Sequence, residues 1–161
     1  MKKKALYAGS FDPFTNGHFD IVERALSIFD EVVILIAVSP NKKHLLNKDE
    51  RKDLLEKVYQ NDQRVYIDCW DGLIVDYLKN NDIQCIIRGL RPTGDFEIEF
   101  QMASMNRKLN HQAETVFLMT GENLYYISSS LVKEVFKHGG EISGFVPRVI
   151  GKYLEEKKSC S

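Results

Sequence analysis

The residues with the clearest chemical potential lie in one stretch, Gly9-Ser10-Phe11-Asp12-Pro13-Phe14-Thr15-Asn16-Gly17-His18. It follows a short apolar run, Ala5-Leu6-Tyr7-Ala8, and leads into an amphipathic pattern of Ile21, Val22, Ala25, Leu26 and Phe29. A strand, a tight loop and a helix start make an anion site, because the first N–H groups of a helix lack intrahelical partners and its dipole favours negative charge there. Gly9 and Gly17 would let the backbone approach a ligand closely, and His18 would face it from the first helical turn.

Three more loops carry matching chemistry. Ser39-Pro40-Asn41-Lys42-Lys43-His44 offers Lys42 to a phosphate, although paired lysines in a loop are also common on plain solvated surface. Ile86-Ile87-Arg88-Gly89-Leu90-Arg91 ends an apolar run on a guanidinium, which needs an anionic partner or a route to water. Arg88 and Arg91 form either a clamp for phosphate oxygens or an arginine–carboxylate pair with Asp95 or Glu99. Tyr126-Ile127-Ser128-Ser129-Ser130 precedes Leu131-Val132-Lys133-Glu134-Val135. Its serines read as an ordinary helix cap and equally as a cradle of hydroxyl and N–H donors.

The elements that must position these loops alternate. Apolar runs at 4–8, 31–37, 65–69, 83–88 and 115–119 predict five strands, and helices are predicted over 17–29, 48–59, 72–80, 94–109, 129–138 and 147–156. Asn47 and Glu50 have capping-box spacing, and Pro147 suits the first turn of the last helix. Asp95, Glu97 and Glu99 at the front of the long helix, with Arg107 and Lys108 at its back, match its dipole. The pattern predicts a single α/β domain over residues 1–161, doubly wound and Rossmann-like around a five-stranded parallel sheet. Such sheets bind ligands beyond the carboxyl ends of their strands, where all four loops fall.

The chain has 161 residues and a formal net charge of −1, so no global field draws it to nucleic acid or membrane. Lys2-Lys3-Lys4 is followed by too short an apolar run for a signal peptide, and a cytoplasmic protein is expected. Cys69, Cys85 and Cys160 are odd in number and widely spaced, against a disulfide framework or zinc site. His44, His111 and His138 show no metal-ligand spacing. The stripe of Phe96, Phe100, Met102 and Met105 reads as core or subunit contact, and Glu155-Glu156-Lys157-Lys158 as a solvated helix end.

Gly-Ser-Phe-Asp-Pro at 9–13 with Thr-Asn-Gly-His at 15–18 resembles the signature of the nucleotidyltransferase superfamily. Together with Ile-Arg-Gly-Leu-Arg at 87–91, Asp95-Phe96-Glu97, Met105-Asn106 and Ile-Ser-Ser-Ser at 127–130, it resembles the bacterial phosphopantetheine adenylyltransferases, over nearly the whole chain. The resemblance implies transfer of the adenylyl group of ATP to 4′-phosphopantetheine with Mg²⁺, the ion held mainly by the ATP phosphates and not by a protein cage. The products are dephospho-coenzyme A and pyrophosphate, and coenzyme A is a further candidate ligand. It also implies a homohexamer built as a dimer of trimers. By the same resemblance His18 stabilises the transition state, with Lys42 and Arg91 as further catalytic groups. ATP falls to Ser10, Phe11, His18, Gly89, Leu90, Arg91, Glu99, Leu124, Tyr125, Tyr126, Ile127, Ser128, Ser129 and Ser130. Phosphopantetheine falls to Ser10, Lys42, Ile74 and Arg88.

Several positions depart from the family's pattern: Ser10 for threonine, Ile98 for tyrosine, Leu124-Tyr125 for Trp-Ser, Leu46-Asn47 for Phe-Ser/Thr, and Pro92-Thr93-Gly94 after Arg91. They bear on affinity more than on chemistry. Cytidylyltransferases and nicotinamide-mononucleotide adenylyltransferases share the first motif but usually carry His-x-Gly-His, where this chain has Thr15. A tRNA synthetase would need a second lysine-rich signature and an anticodon domain. A non-catalytic nucleotide sensor is the alternative of a different class.

Overall fold

A computed structural model describes residues 2–38, 43–91 and 95–159. Five parallel strands, β1 (Lys4–Gly9), β2 (Glu31–Ala37), β3 (Val65–Trp70), β4 (Cys85–Leu90) and β5 (Glu114–Met119), form one sheet in the order β3-β2-β1-β4-β5. The helices are α1 (Asn16–Leu26), α2 (Lys48–Val58), α3 (Ile74–Asn80), α4 (Asp95–Leu109), α5 (Ser129–Lys137) and α6 (Arg148–Ser159). The expected doubly wound parallel sheet is present.

Alternation along β1 sets the two layers, since successive side chains of a strand point to opposite faces. Ala5 and Tyr7 join Val32, Ile34, Ile36 and Ile87 in a core closed by residues of α1, α2, α5 and α6. Leu6 and Ala8 join Val33, Leu35 and Ile86 under Tyr77 and Leu78 of α3. Both cores are near dry, with Leu6, Ile34, Leu35, Ile36, Leu78 and Ile87 essentially sealed from solvent. Each such side chain contributes about 1.5–3 kcal/mol.

Most boundaries differ from expectation by one to three residues, as where α1 ends at Leu26 instead of residue 29, and three have clear local reasons. β4 begins at Cys85 instead of residue 83, because the Ile83 N–H donates to Leu78 O at the end of α3 (3.0 Å) while β1 pairs from Cys85 onward. α3 begins at Ile74 instead of residue 72; the Trp70 indole N–H donates to Leu73 O (3.0 Å) and holds the preceding residues in a turn. Pro147 lies just before α6, its carbonyl accepting from Ile150 and Gly151 (2.9 and 3.1 Å). The Asn47–Glu50 capping box is formed in both directions. α6 is more than a solvated end: Tyr153 Oη and Lys157 Nζ both reach Glu50 Oε1 (2.6 and 2.5 Å), tying it to α2.

The strand order reverses between β1 and β4. β1 continues outward to β2 and β3, whereas β4 lies on its other side. A reversal of this kind leaves a crevice at the carboxyl edge, the general ligand position in open α/β sheets.

Candidate active site

That crevice is an open cleft of about 320 Å³. Its lining includes Ser10, Phe11 and His18 from the β1–α1 segment, Arg88 and Gly89 from β4 with Arg91 just after it, Glu99 from α4, and Ile127 to Ser130 before and in α5. Four stretches far apart in sequence thus meet at one sheet edge.

His18 is placed by its own helix. Thr15 is the N-cap, its Oγ1 accepting from His18 N (3.3 Å), while Thr15 N donates back to His18 Nδ1 (3.0 Å). An amide N–H can only donate, so Nδ1 is the acceptor nitrogen and the ring proton of the neutral imidazole sits on Nε2. Burial, with Arg91 and Arg88 nearby, lowers the His18 pKa from 6.5 to about 4. At neutral pH His18 is therefore an uncharged donor in the cleft wall. Phe11, Phe14 and Tyr7 surround its ring at centroid distances of 5.3, 5.4 and 6.2 Å.

The loop before it is braced from several directions. Phe11 holds a left-handed φ of 47°, a conformation that persists in a bulky residue only when its surroundings fix it. The buried Arg51 donates to Ser10 O (2.7 Å) and to Asn47 O (3.2 Å). Asp12, also buried, accepts from Leu45 N and Leu46 N (2.9 and 2.8 Å), with Lys133 Nζ and His44 Nδ1 at 3.3 and 3.4 Å. One carboxylate therefore joins the first loop, the segment after β2 and α5. Asp12 stood inside the sequence motif without an assigned role, and its type at a loop position was the available signal.

Gly9 serves the packing of the loop as well as any ligand, and Gly17 sits at ordinary contact distance from its neighbours. A Cβ on Gly9 would meet the Phe11 ring at 3.0 Å, and one on Gly17 would face Leu124 O and Ile127 O at 3.7 and 3.8 Å. α1 runs beside the 124–127 backbone at Gly17, at distances that are ordinary van der Waals contact. Asp20 extends this contact by accepting from Gly121 N (2.9 Å).

At β4, Arg88 is held by a fork. Its Nε and Nη2 donate to the two Glu99 carboxylate oxygens, both at 2.5 Å, and Nη1 donates to Ala8 O (2.7 Å). Of the two readings left open by the sequence, the ion pair with Glu99 is therefore present in this state. In α5, Ser128 is the N-cap, accepting from Leu131 N (3.1 Å), and the Ser129 hydroxyl donates to Pro13 O (2.8 Å). Any donation from Ser129 to a ligand falls to its N–H at the helix start.

Other expected residues lie away from the cleft wall. Ile74 borders a separate cavity of about 40 Å³ with Arg88, Glu99 and Met102. Leu90 and Leu124 are not among the lining residues, and Tyr125 and Tyr126 stand exposed against each other at 5.9 Å. Lys42 lies outside the described residues. Among the described residues no cluster of three or more His, Cys, Asp or Glu could hold a metal ion. No described helix is long and apolar enough to cross a membrane.

Comparison with known proteins gives a consistent result. Residues 6–135 match the cytidylyltransferase-like family. The chain is 48% identical over 155 residues to the phosphopantetheine adenylyltransferase of Desulfosudis oleivorans, spanning 96% of this chain and 92% of the relative. It is 46% identical to that of Alkaliphilus metalliredigens, spanning 96% of this chain and 99% of the relative. A solved structure from Vibrio parahaemolyticus, assigned as a nicotinate-nucleotide adenylyltransferase, shares the fold with a TM-score of 0.67, covering 96% of this chain and 99% of its own at 18% identity. The chain belongs to the phosphopantetheine adenylyltransferase family, within the cytidylyltransferase-like proteins.

Proposed function

We infer that this protein transfers the adenylyl group of ATP to 4′-phosphopantetheine, giving dephospho-coenzyme A and pyrophosphate. The observation that carries the reading is the neutral His18 donor beside Arg88 and Arg91 in a cleft built from the family's own motifs. A phosphate oxygen of phosphopantetheine attacks the α-phosphorus of ATP, and the bond from that phosphorus to the bridging β-phosphate oxygen breaks. The acceptor phosphate is already ionised at neutral pH, so no general base is required. Catalysis then rests on positioning and on stabilising the charge that grows on the α-phosphoryl oxygens.

In this reading the His18 Nε2–H donates to an α-phosphate oxygen, needing no change of protonation during the step. Ser10 and the Phe11 backbone lie between the substrates. Gly89, Leu90, Arg91, Glu99 and residues 124–130 serve ATP, with Arg91 toward its outer phosphates and the first N–H groups of α5 completing the cradle. Lys42, Ile74 and Arg88 serve phosphopantetheine. Because Glu99 occupies two donors of Arg88, the acceptor phosphate would share or displace that carboxylate. Mg²⁺ would enter on the triphosphate, screening its charge; the cleft's hydroxyls and cationic side chains suit an ion carried by phosphate oxygens.

The assembly belongs to the same reading. Phe96, Ile98, Phe100, Met102, Met105 and Leu109 of α4 are all exposed in the single chain, Phe96 and Phe100 on one side of the helix and the other four on the opposite side. Those exposed apolar residues support the reading of a homohexamer of two trimers. A cytosolic location accompanies the activity.

Pyrophosphate release from ATP and Mg²⁺ tests the function directly, with phosphopantetheine, pantetheine and nicotinamide mononucleotide compared as acceptors. Release is expected with phosphopantetheine alone. Release with nicotinamide mononucleotide would reassign the acceptor, and ATP binding without release under any condition would make the chain a nucleotide sensor.

A further inference from the structure

Tyr7 occupies the central strand with 5% of its surface exposed, yet it lines the cleft. Its ring is wedged edge-on against Phe11 at 5.3 Å and lies 6.2 Å from the His18 ring. The hydroxyl oxygen reaches the bare backbone of Gly89, where it would lie 3.8 Å from an added Cβ. Among the described residues this hydroxyl has no hydrogen-bond partner. The ring is buried while the hydroxyl faces the open cleft, so a ligand there can supply the partner that the protein does not. Burial pushes its ionisation well above the ordinary value, despite Arg88 and Arg91, so it remains a proton donor at working pH.

Its face of the sheet limits what the donor can meet. Tyr7 points with Ile21 and Ile87 toward α1, in the layer that includes Gly89. Ile74, by contrast, belongs with the layer under α3, and Arg88 and Glu99 share its small cavity there. The open hydroxyl is therefore in the Gly89 layer assigned to the nucleotide and away from Ile74, while Arg88 and Glu99 line both spaces. We propose that Tyr7 is a further nucleotide-binding residue, its hydroxyl donating to an oxygen of bound ATP at the floor of the cleft. The assignment rests on the reading of this cleft as the ATP site.

Tyr7→Phe keeps the ring and its packing and removes only a hydroxyl that no described group uses. The test compares Tyr7→Phe and Arg91→Ala with the parent protein, by calorimetric titration with ATP and Mg²⁺, Michaelis constants for both substrates and ligand-free thermal unfolding. Tyr7→Phe is expected to weaken ATP about three- to tenfold, the effect of one neutral hydrogen bond, with the phosphopantetheine constant and the unfolding midpoint unchanged. Unchanged ATP affinity in Tyr7→Phe, alongside a clear loss in Arg91→Ala, would overturn the proposal and leave the ATP site standing. Unchanged affinity in both would overturn the cleft assignment itself. A lowered unfolding midpoint with normal ATP affinity would make Tyr7 a packing residue and also overturn it.

Discussion

The two sides of the cleft are held by different kinds of bond. On the α1 side the decisive contacts are local: Thr15 with His18 and Ser128 with Leu131, each three residues apart. Longer ties from Asp12 and Asp20 then lock these turns to their neighbours. On the α4 side the decisive contact is an ion pair between a strand and a helix, Arg88 with Glu99. Local capping fixes the His18 tautomer, and burial beside Arg91 and Arg88 keeps that donor neutral in the ligand-free protein. The ion pair is already balanced, and in the proposed reading it would have to be shared with an arriving phosphate. Preformed electrostatics suits the reacting phosphorus, where any reorganisation would add to the barrier. An exchangeable partner suits the acceptor end, where binding need only hold the substrate.

The strongest break in this contrast should come at His18. His18→Ala is expected to lower kcat by about two orders of magnitude or more while ATP still binds, as for loss of a transition-state donor. Steady-state rates with parallel ATP titration check this, and near-normal turnover would remove His18 from the reaction. Next comes Arg88→Ala, expected to raise the Michaelis constant for phosphopantetheine about tenfold or more through loss of a charge-assisted contact, with the ATP constant little changed. A change confined to the ATP constant would mean that Arg88 works for the other half.

The smallest effect concerns pH. His18 has a folded pKa near 4 against an ordinary 6.5. Between those values the unfolded chain takes up a proton that the native protein refuses, so native stability falls as pH drops through this window. Urea unfolding of the parent and of His18→Gln between pH 4 and 7 is expected to give a flatter dependence in the variant. Turnover should show no His18 ionisation near 6.5. An acid limb centred there, absent in His18→Gln, would contradict the neutral-donor assignment.

The parts of the site written in local sequence were legible in advance. The Gly9–His18 segment announces a strand, a turn and a capped helix start. Ser128 before an apolar helix does the same, and the alternating runs imply a parallel sheet whose loops share an edge. Less legible were contacts between residues distant in the chain. Arg88 could be read as clamp or ion pair until folding brought Glu99 to its guanidinium. Asp12, at the junction of three segments, and Arg51, behind Ser10, had no sequence signal beyond a polar residue in an ordinary position.

The sequence alone determined which backbone turns form and which side chains they carry, because capping, strand alternation and glycine placement act over a few residues. It thereby determined the chemistry on offer: a histidine at a helix start, two arginines after a strand and a serine-rich cap. Tertiary structure decided the charge states and the availability of those groups. The reversal of strand order between β1 and β4 opened the cleft. Burial beside two cations kept His18 neutral, Glu99 claimed the Arg88 fork, and Pro13 claimed the Ser129 hydroxyl. Those outcomes depend on solvent exclusion and on partners dozens of residues away, quantities that exist only once the chain has closed on itself.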